Sequence, residues 1–335
     1  MTPGPPVVLL LPGQGAQQPA MAAALYDADP TFTAAMDAFF GPLGAWGTQL
    51  RADWLGGCSG AALDDASRAQ PLLYAVGYAL GAALSAHGVP ISGVLGHSVG
   101  ELAAAALAGV FTPADGARLL RARVAALAGI AAGGMLAVAA SPADLTPFLD
   151  SPDRPDGVVV GAENAPKQTV LAGTEPRLSA VEFALRRHGM TCRRIAARQP
   201  FHSPAARPAA RRFQRAFGRV ELRPPRLPMW SAGSGARLEA GQATDPGFWA
   251  AQLAGRMRLW SALDALLCSG AVTLVEAGPG QGLTGIARRH PGVRTGASRV
   301  VPLLPAAAAG TPGAVRDAVE RLRADAVARP AGGVS

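Results

Sequence analysis

Apolar positions along the chain fall into short runs divided by turns rich in glycine and proline. The unbroken run Val7–Leu11 has strand length and reads as a buried first strand, followed by the glycine-rich turn Gly13–Gln17. Helical patterning extends through Phe40 and returns from Gln70 to Ala86. Val94–Leu95 reads as a short strand, and the alanine-rich stretch Glu101–Leu107 reads as a helix. Thr112 is the expected N-cap, with Pro113 at the first helical position, of a helix reaching Ile130.

From Gly133 the texture changes. Met135–Ala139 predicts a strand, Pro142–Leu149 a helix, Val158–Ala162 and Thr169–Ala172 two strands, Pro176–Arg187 a helix and Cys192–Ala196 a last strand. This β-α-β-β-α-β order is that of a small ferredoxin-like unit. It sits within the sequence of a larger α/β domain that resumes near Arg198. A strand at Leu227–Trp230, helices near Trp249 and at Trp260–Ser269, a strand at Val272–Glu276 and an amphipathic helix at Ala314–Ala326 follow.

Between the predicted strand Val94–Leu95 and the helix after it stands Gly96-His97-Ser98-Val99-Gly100. A G-x-S-x-G in a strand–turn–helix context is the signature of a nucleophile elbow, which lifts a serine hydroxyl above the sheet edge at a helix N-terminus. The expected fold class is therefore α/β, with an α/β-hydrolase-like large domain (residues 1–131 and 198–335) and an inserted ferredoxin-like small domain (132–197). The expected chemistry is a covalent acyl-serine at Ser98.

Composition narrows the setting. A chain of 335 residues with 49% hydrophobic content can bury a full core. It contains no run of eighteen apolar residues, and neither a basic leader nor an apolar segment of signal-peptide length. The expectation is a cytoplasmic protein with no membrane association. The cysteines Cys58, Cys192 and Cys268 are scattered, without metal spacing or a disulfide framework, so no metal site is expected. The net charge is +8, carried by arginine, with Lys167 the only lysine. A basic surface favours acidic partners. With aromatics at 5% and no binding motif, nucleic acid is not the expected one; an acidic carrier protein or an anionic thioester fits better.

Ser98 needs a base. Of the five histidines, His97 neighbours the serine and should leave the elbow in another direction. His87 falls at a helix end, His188 in a basic C-cap turn, and His290 after Arg288-Arg289, where it reads as solvated. His202, in the loop Gln199-Pro200-Phe201-His202-Ser203-Pro204, is the leading candidate.

The chain resembles the malonyl-CoA:acyl-carrier-protein transacylases and the related acyltransferase domains of polyketide synthases. Five motifs match in order: Gly13-Gln14-Gly15-Ala16-Gln17, Gln70-Pro71, Gly96–Glu101, Phe201-His202-Ser203-Pro204 and Gly278-Pro279-Gly280. The resemblance implies Ser98 as nucleophile and His202 as base and then acid. It implies that a main-chain carbonyl at Gln252, rather than a carboxylate, orients His202. It implies an oxyanion hole from the backbone N–H groups of Gln14 and Val99.

On a helical wheel of residues 112–130, Arg123 falls inside the apolar arc of Leu120, Val124 and Leu127, where an arginine must find an anion or snorkel to the edge. The resemblance assigns it to the free carboxylate of a malonyl group, which a planar guanidinium can bind with two parallel hydrogen bonds. It also implies that Val99 and Phe201 favour malonyl over methylmalonyl, a discrimination limited to about 1–3 kcal/mol for one methyl. His97 and Asn164, the latter in Glu163-Asn164-Ala165-Pro166, join the substrate-binding candidates. Pro200, Ala205-Ala206 and Arg256 depart from residues common in the family.

The reading that follows is a discrete, monomeric enzyme passing malonyl from malonyl-CoA through Ser98 to the phosphopantetheine thiol of an acidic acyl carrier protein, with no bound cofactor. Arg186, Arg187, Arg288 and Arg289 are candidate carrier contacts. Three alternatives stay open: a transferase of another acyl group, an editing thioester hydrolase, and a catalytically silent carrier-docking module.

Overall fold

The computed structural model describes residues 4–305 and 311–327. Residues 1–3, 306–310 and 328–335 of the expected large domain lie outside the described residues. In chain order the strands are β1 (Val7–Leu11), β2 (Ile91–Gly96), β3 (Gly133–Val138), β4 (Val159–Ala165), β5 (Gln168–Thr174), β6 (Cys192–Arg194), β7 (Met229–Ser231), β8 (Ala236–Arg237), β9 (Thr273–Glu276) and β10 (Arg299–Pro302).

They form two sheets. The larger has the order β10-β9-β1-β2-β7-β8, parallel throughout except for β8. Central parallel strands are covered on both faces, which is why β1 is apolar at every position and buried at every position. Leu11 pairs with Gly96, and Gly96 with Ser231. The C-terminal ends of β1, β2 and β7 therefore stop at one level, and the turns after them share one edge. Open α/β sheets bind ligands at that edge.

The smaller sheet is antiparallel, with the order β4-β5-β3-β6. This is the expected ferredoxin-like unit. Its strands alternate. Leu136, Val138 and Leu171 face the Arg177–Arg187 helix, in a small core with Leu178 and Leu185. Met135, Ala162 and Val170 belong instead to the main core. The period of two thus gives the sheet one face for its own helices and one for the large unit. The units are stitched together where Ala162 of β4 bridges Met257 in parallel, with Met257 N–H donating to Gly161 O and Glu163 N–H to Met257 O, both at 2.8 Å.

Several predicted bounds shift. The Pro142–Leu149 helix is α-helical only through Leu145 and continues as a 3-10 turn over Thr146–Phe148, because Pro147 lacks the N–H that an α-ladder needs. The helix capped by Thr112 runs Pro113–Leu127, with the Thr112 side chain accepting from Asp115 N–H as predicted. The edge strands β8 and β10 and the helix Ala45–Leu55 have no counterpart in the sequence pattern. Among the described residues, no helix is long and apolar enough to cross a membrane.

Candidate active site

The turn after β2 places Ser98 in the left-handed region, with φ of 55°. A non-glycine residue there is strained by about 1–3 kcal/mol, and such strain persists only where the surroundings hold it. The flanking glycines serve close approach rather than positive φ. A Cβ on Gly96 would lie 2.3 Å from Glu101 Cα, and one on Gly100 would lie 2.2 Å from the Leu11 carbonyl oxygen. The elbow is therefore pressed against the end of β1, and His97 N–H donates to Leu11 O at 3.0 Å.

Ser98 Oγ lies 2.8 Å from His202 Nε2. His202 is 4% exposed, and its Nδ1 meets the carbonyl oxygens of Gln252 at 2.8 Å and Gly255 at 3.0 Å. Carbonyls only accept, so Nδ1 carries the proton and the Nε2 lone pair faces the serine hydroxyl. Burial, followed by the nearby His97 and Arg123, pushes the His202 pKa down to about 3, with the two carbonyls opposing. The imidazole is neutral at neutral pH, the state a base requires. Gln252 thus stands where the resemblance puts it; nothing in the sequence points to the second carbonyl, that of Gly255.

The Gly13–Gln17 turn runs alongside. A Cβ on Gly13 would come 2.6 Å from the His97 carbonyl oxygen, so only glycine lets this turn reach the elbow. Neither Gln14 N–H nor Val99 N–H makes a backbone hydrogen bond among the described residues, leaving both donors free beside Ser98. The Gln14 side chain turns away: its Nε2 donates to Asp64 O at 2.7 Å, and its Oε1 accepts from Gln70 Nε2 at 3.0 Å. The Gly278-Pro279-Gly280 turn supports the same wall, since a Cβ on Gly278 would meet Pro12 Cγ at 2.4 Å.

Arg123 is 1% exposed, on the apolar face that the wheel gives it, whereas Arg118 and Arg121 on the same helix are exposed. Its Nε donates to Gln70 Oε1 at 2.7 Å, and its guanidinium lies 5.7 Å from the Phe213 ring centroid. No carboxylate forms an ion pair with it among the described residues. Burial lowers its pKa to about 10, and the charge of Glu101 opposes the shift. Gln70, part of a matched motif that carried no assigned role, is thus the group that holds the guanidinium in place. Arg123 stands outside the lining of the open cavity described next, in the buried layer.

Between the two sheets lies a cavity of about 480 Å³, lined by Gln14, His97, Ser98, Asn164, Phe201 and His202 among others. Met135, Ala137, Ala162 and Val170 of the small sheet roof it, and Arg193 and Arg194 stand on its wall. Arg194 is engaged by Glu175 and Glu182, whereas Arg193 is exposed and forms no ion pair among the described residues. Burial drives the His97 pKa down to about 4, with Asn164 nearby opposing. Neither His97 Nε2 nor Asn164 Oδ1 has a partner in hydrogen-bonding geometry. Buried polar atoms are normally paired, so these two can take a polar group of a ligand.

One other expectation changes. His290 is not solvated: it is 5% exposed, caps the Pro291–Arg294 turn, reaches Asp264 at 3.2 Å and packs on Trp260. Arg186 pairs with Glu182 and Arg289 donates to Gln168, while Arg187 lies over the Phe183 ring. Among the described residues, no group of His, Cys, Asp or Glu is placed to hold a metal ion. Glu101, included in the elbow motif without a role, is fully buried beside the dyad.

Comparison with known proteins shows the family of the chain. The pattern of the family described as acyl transferase domain matches residues 8–289. The chain is 37% identical over 286 residues to a phenolphthiocerol/phthiocerol polyketide synthase of Mycobacterium tuberculosis, covering 85% of this chain and 19% of that protein. It therefore spans about a fifth of that relative. The acyl transferase domain of SpnD, solved in complex with 2-(pent-4-yn-1-yl)malonyl, superposes with a TM-score of 0.87 at 28% identity, over 97% of this chain and 77% of that one. The acyl-carrier-protein-S-malonyltransferase of Bartonella henselae superposes with a TM-score of 0.81 at 25% identity, over 95% and 99%. The matched stretch runs from the first strand past the last turn that walls the cavity, and on that ground the chain belongs to the acyl transferase domain family.

Proposed function

We propose that the chain transfers a malonyl group from malonyl-CoA, through an ester on Ser98, to the phosphopantetheine thiol of an acyl carrier protein. The observation that carries this reading is Arg123: a buried guanidinium that forms no ion pair with a carboxylate among the described residues and is held by Gln70. A buried cation without a partner is costly, and the carboxylate of a malonyl thioester would supply one.

In the first half-reaction, Ser98 Oγ attacks the thioester carbonyl as its proton passes to His202 Nε2. The oxyanion faces the Gln14 and Val99 N–H groups, each such donor being worth about 3 kcal/mol in the transition state. Collapse expels the CoA thiolate, which takes the proton from His202. In the second half, the carrier's thiol gives its proton to His202 and attacks the ester; Ser98 leaves and recovers the proton. Arg193, exposed on the cavity wall, suits the anionic part of CoA or of phosphopantetheine. Phe201, 2% exposed and lining the cavity, fills space that an α-methyl would need.

Transfer of a bulkier malonyl derivative is the second reading. It is favoured by the likeness to SpnD, whose structure holds a substituted malonyl group. Intact mass after exposure to malonyl-, methylmalonyl- and acetyl-CoA tests both. A malonyl adduct that is absent in Ser98→Ala, with label passing to a carrier protein, is the expected result. A dominant methylmalonyl adduct would select the second reading, free malonate would indicate a hydrolase, and no adduct would leave a docking module.

A further inference from the structure

Glu101 has no part in the acyl transfer just described, yet it is fully buried and forms no ion pair among the described residues. Its carboxylate is instead surrounded by donors. Ser231 Oγ–H and Gln252 Nε2–H donate to Oε2, the latter at 2.9 Å, and Gly233 N–H donates to Oε1 at 2.8 Å. Ser231 ends β7, and Gln252 follows the Pro246–Ala251 helix. Glu101 itself lies in the first turn of the Gly100–Leu107 helix, three residues after the nucleophile.

These bonds close a circuit. Ser98 meets His202 Nε2, His202 Nδ1 meets the Gln252 carbonyl, the Gln252 side chain meets Glu101, and Glu101 stands in the helix that follows the Ser98 elbow. We propose that Glu101 is a positioning residue that fixes the Gln252 carbonyl, and through it the tautomer and aim of His202. The carboxylate that the dyad lacks acts at one remove, through a backbone carbonyl.

The geometry favours this over a merely structural role. The Gly233 N–H can only donate, so position 101 must supply an acceptor, and Ser231 and Gln252 donate to the same carboxyl. The N-terminus of the helix favours negative charge there. Burial raises the Glu101 pKa to about 7, and the surrounding donors together with Arg123 oppose that rise. Losing the Gln252 contact frees the loop that carries both carbonyls facing Nδ1.

The inference rests on Ser98 and His202 being nucleophile and base, and its test needs no acyl donor. Phenylmethylsulfonyl fluoride sulfonylates an activated serine, and its rate reads the dyad whatever the natural acyl group. Glu101→Gln sets an amide donor against the Gln252 amide; the expected result is sulfonylation of Ser98 slowed about 10- to 100-fold, the scale on which outer partners act. Combining it with Gln252→Glu restores a donor–acceptor pair and is expected to recover most of the rate. Should Glu101→Gln not fold, Gln252→Met, which keeps the backbone carbonyl, is expected to show the same slowing. A wild-type rate in the folded Glu101→Gln or Gln252→Met protein, or a double variant no faster than Glu101→Gln, would overturn the proposal. Failure of the malonyl reading would instead appear as absent malonyl transfer with sulfonylation intact.

Discussion

Arg123 and Gln70 show what single residues contribute. The guanidinium is aimed by its own Nε–Gln70 bond, which leaves the terminal nitrogens for a ligand. A charge-assisted bond is worth about 1.5–3 kcal/mol. Arg123→Ala is therefore expected to lower kcat/KM for malonyl-CoA about 10- to 150-fold, and to raise transfer of acetyl. Arg123→Lys should not rescue malonyl transfer, because lysine has neither the fork nor the Nε that Gln70 accepts from. Steady-state kinetics with both thioesters checks this, and unchanged malonyl kinetics in Arg123→Ala would remove the carboxylate clamp. At this scale the sequence is partly legible. The helical wheel exposes Arg123 as the one arginine on an apolar face, but Gln70 lies on another helix, and no local pattern links the two.

At the scale of elements, the elbow is read from its spacing and its glycines are explained by neighbours far along the chain. Gly100 is small because β1 ends against it, with Leu11 O only 2.2 Å from where a Cβ would stand. Gly100→Ala is expected to push the elbow off β1, destabilising the fold by about 1–3 kcal/mol. It should also lower kcat/KM, because the turn carrying Gln14 N–H follows directly from β1. Thermal unfolding and kinetics on one preparation test this; a variant matching wild type in both would show that the contact relaxes freely. The strands Val7–Leu11 and Thr273–Glu276 are legible as apolar runs. The edge strand Arg299–Pro302 is not, because its identity comes from the ladder with β9 and not from its own residues.

In the whole molecule, burial at the junction of the two sheets makes stability depend on pH. His97 and His202 have pKa values lowered to about 4 and about 3. Unfolded, they would take a proton near 6.5. Their contribution is present above about 6.5 and is lost as pH falls toward 4 and 3. Glu101, raised to about 7, has the opposite sign: its contribution is complete below about 4.5 and lost as pH rises through 7. Two histidines outweigh one carboxylate, so Tm is expected to fall between pH 6.5 and 5, and to fall less steeply in His97→Asn. Equal slopes in the two proteins would contradict the buried, neutral His97. The sequence by itself determined the strand–elbow–helix unit, the ferredoxin-like order of the insert, the apolar face around Arg123 and, through the family resemblance, the residues to watch. These follow from local spacing, which sets periodicity and turn geometry. Only the tertiary structure decided that Glu101 meets Gln252 behind the dyad, and that the turns carrying Gln14 and Ser98 share the C-terminal edge of one sheet, because parallel strands in register bring to one level turns that lie far apart in the chain.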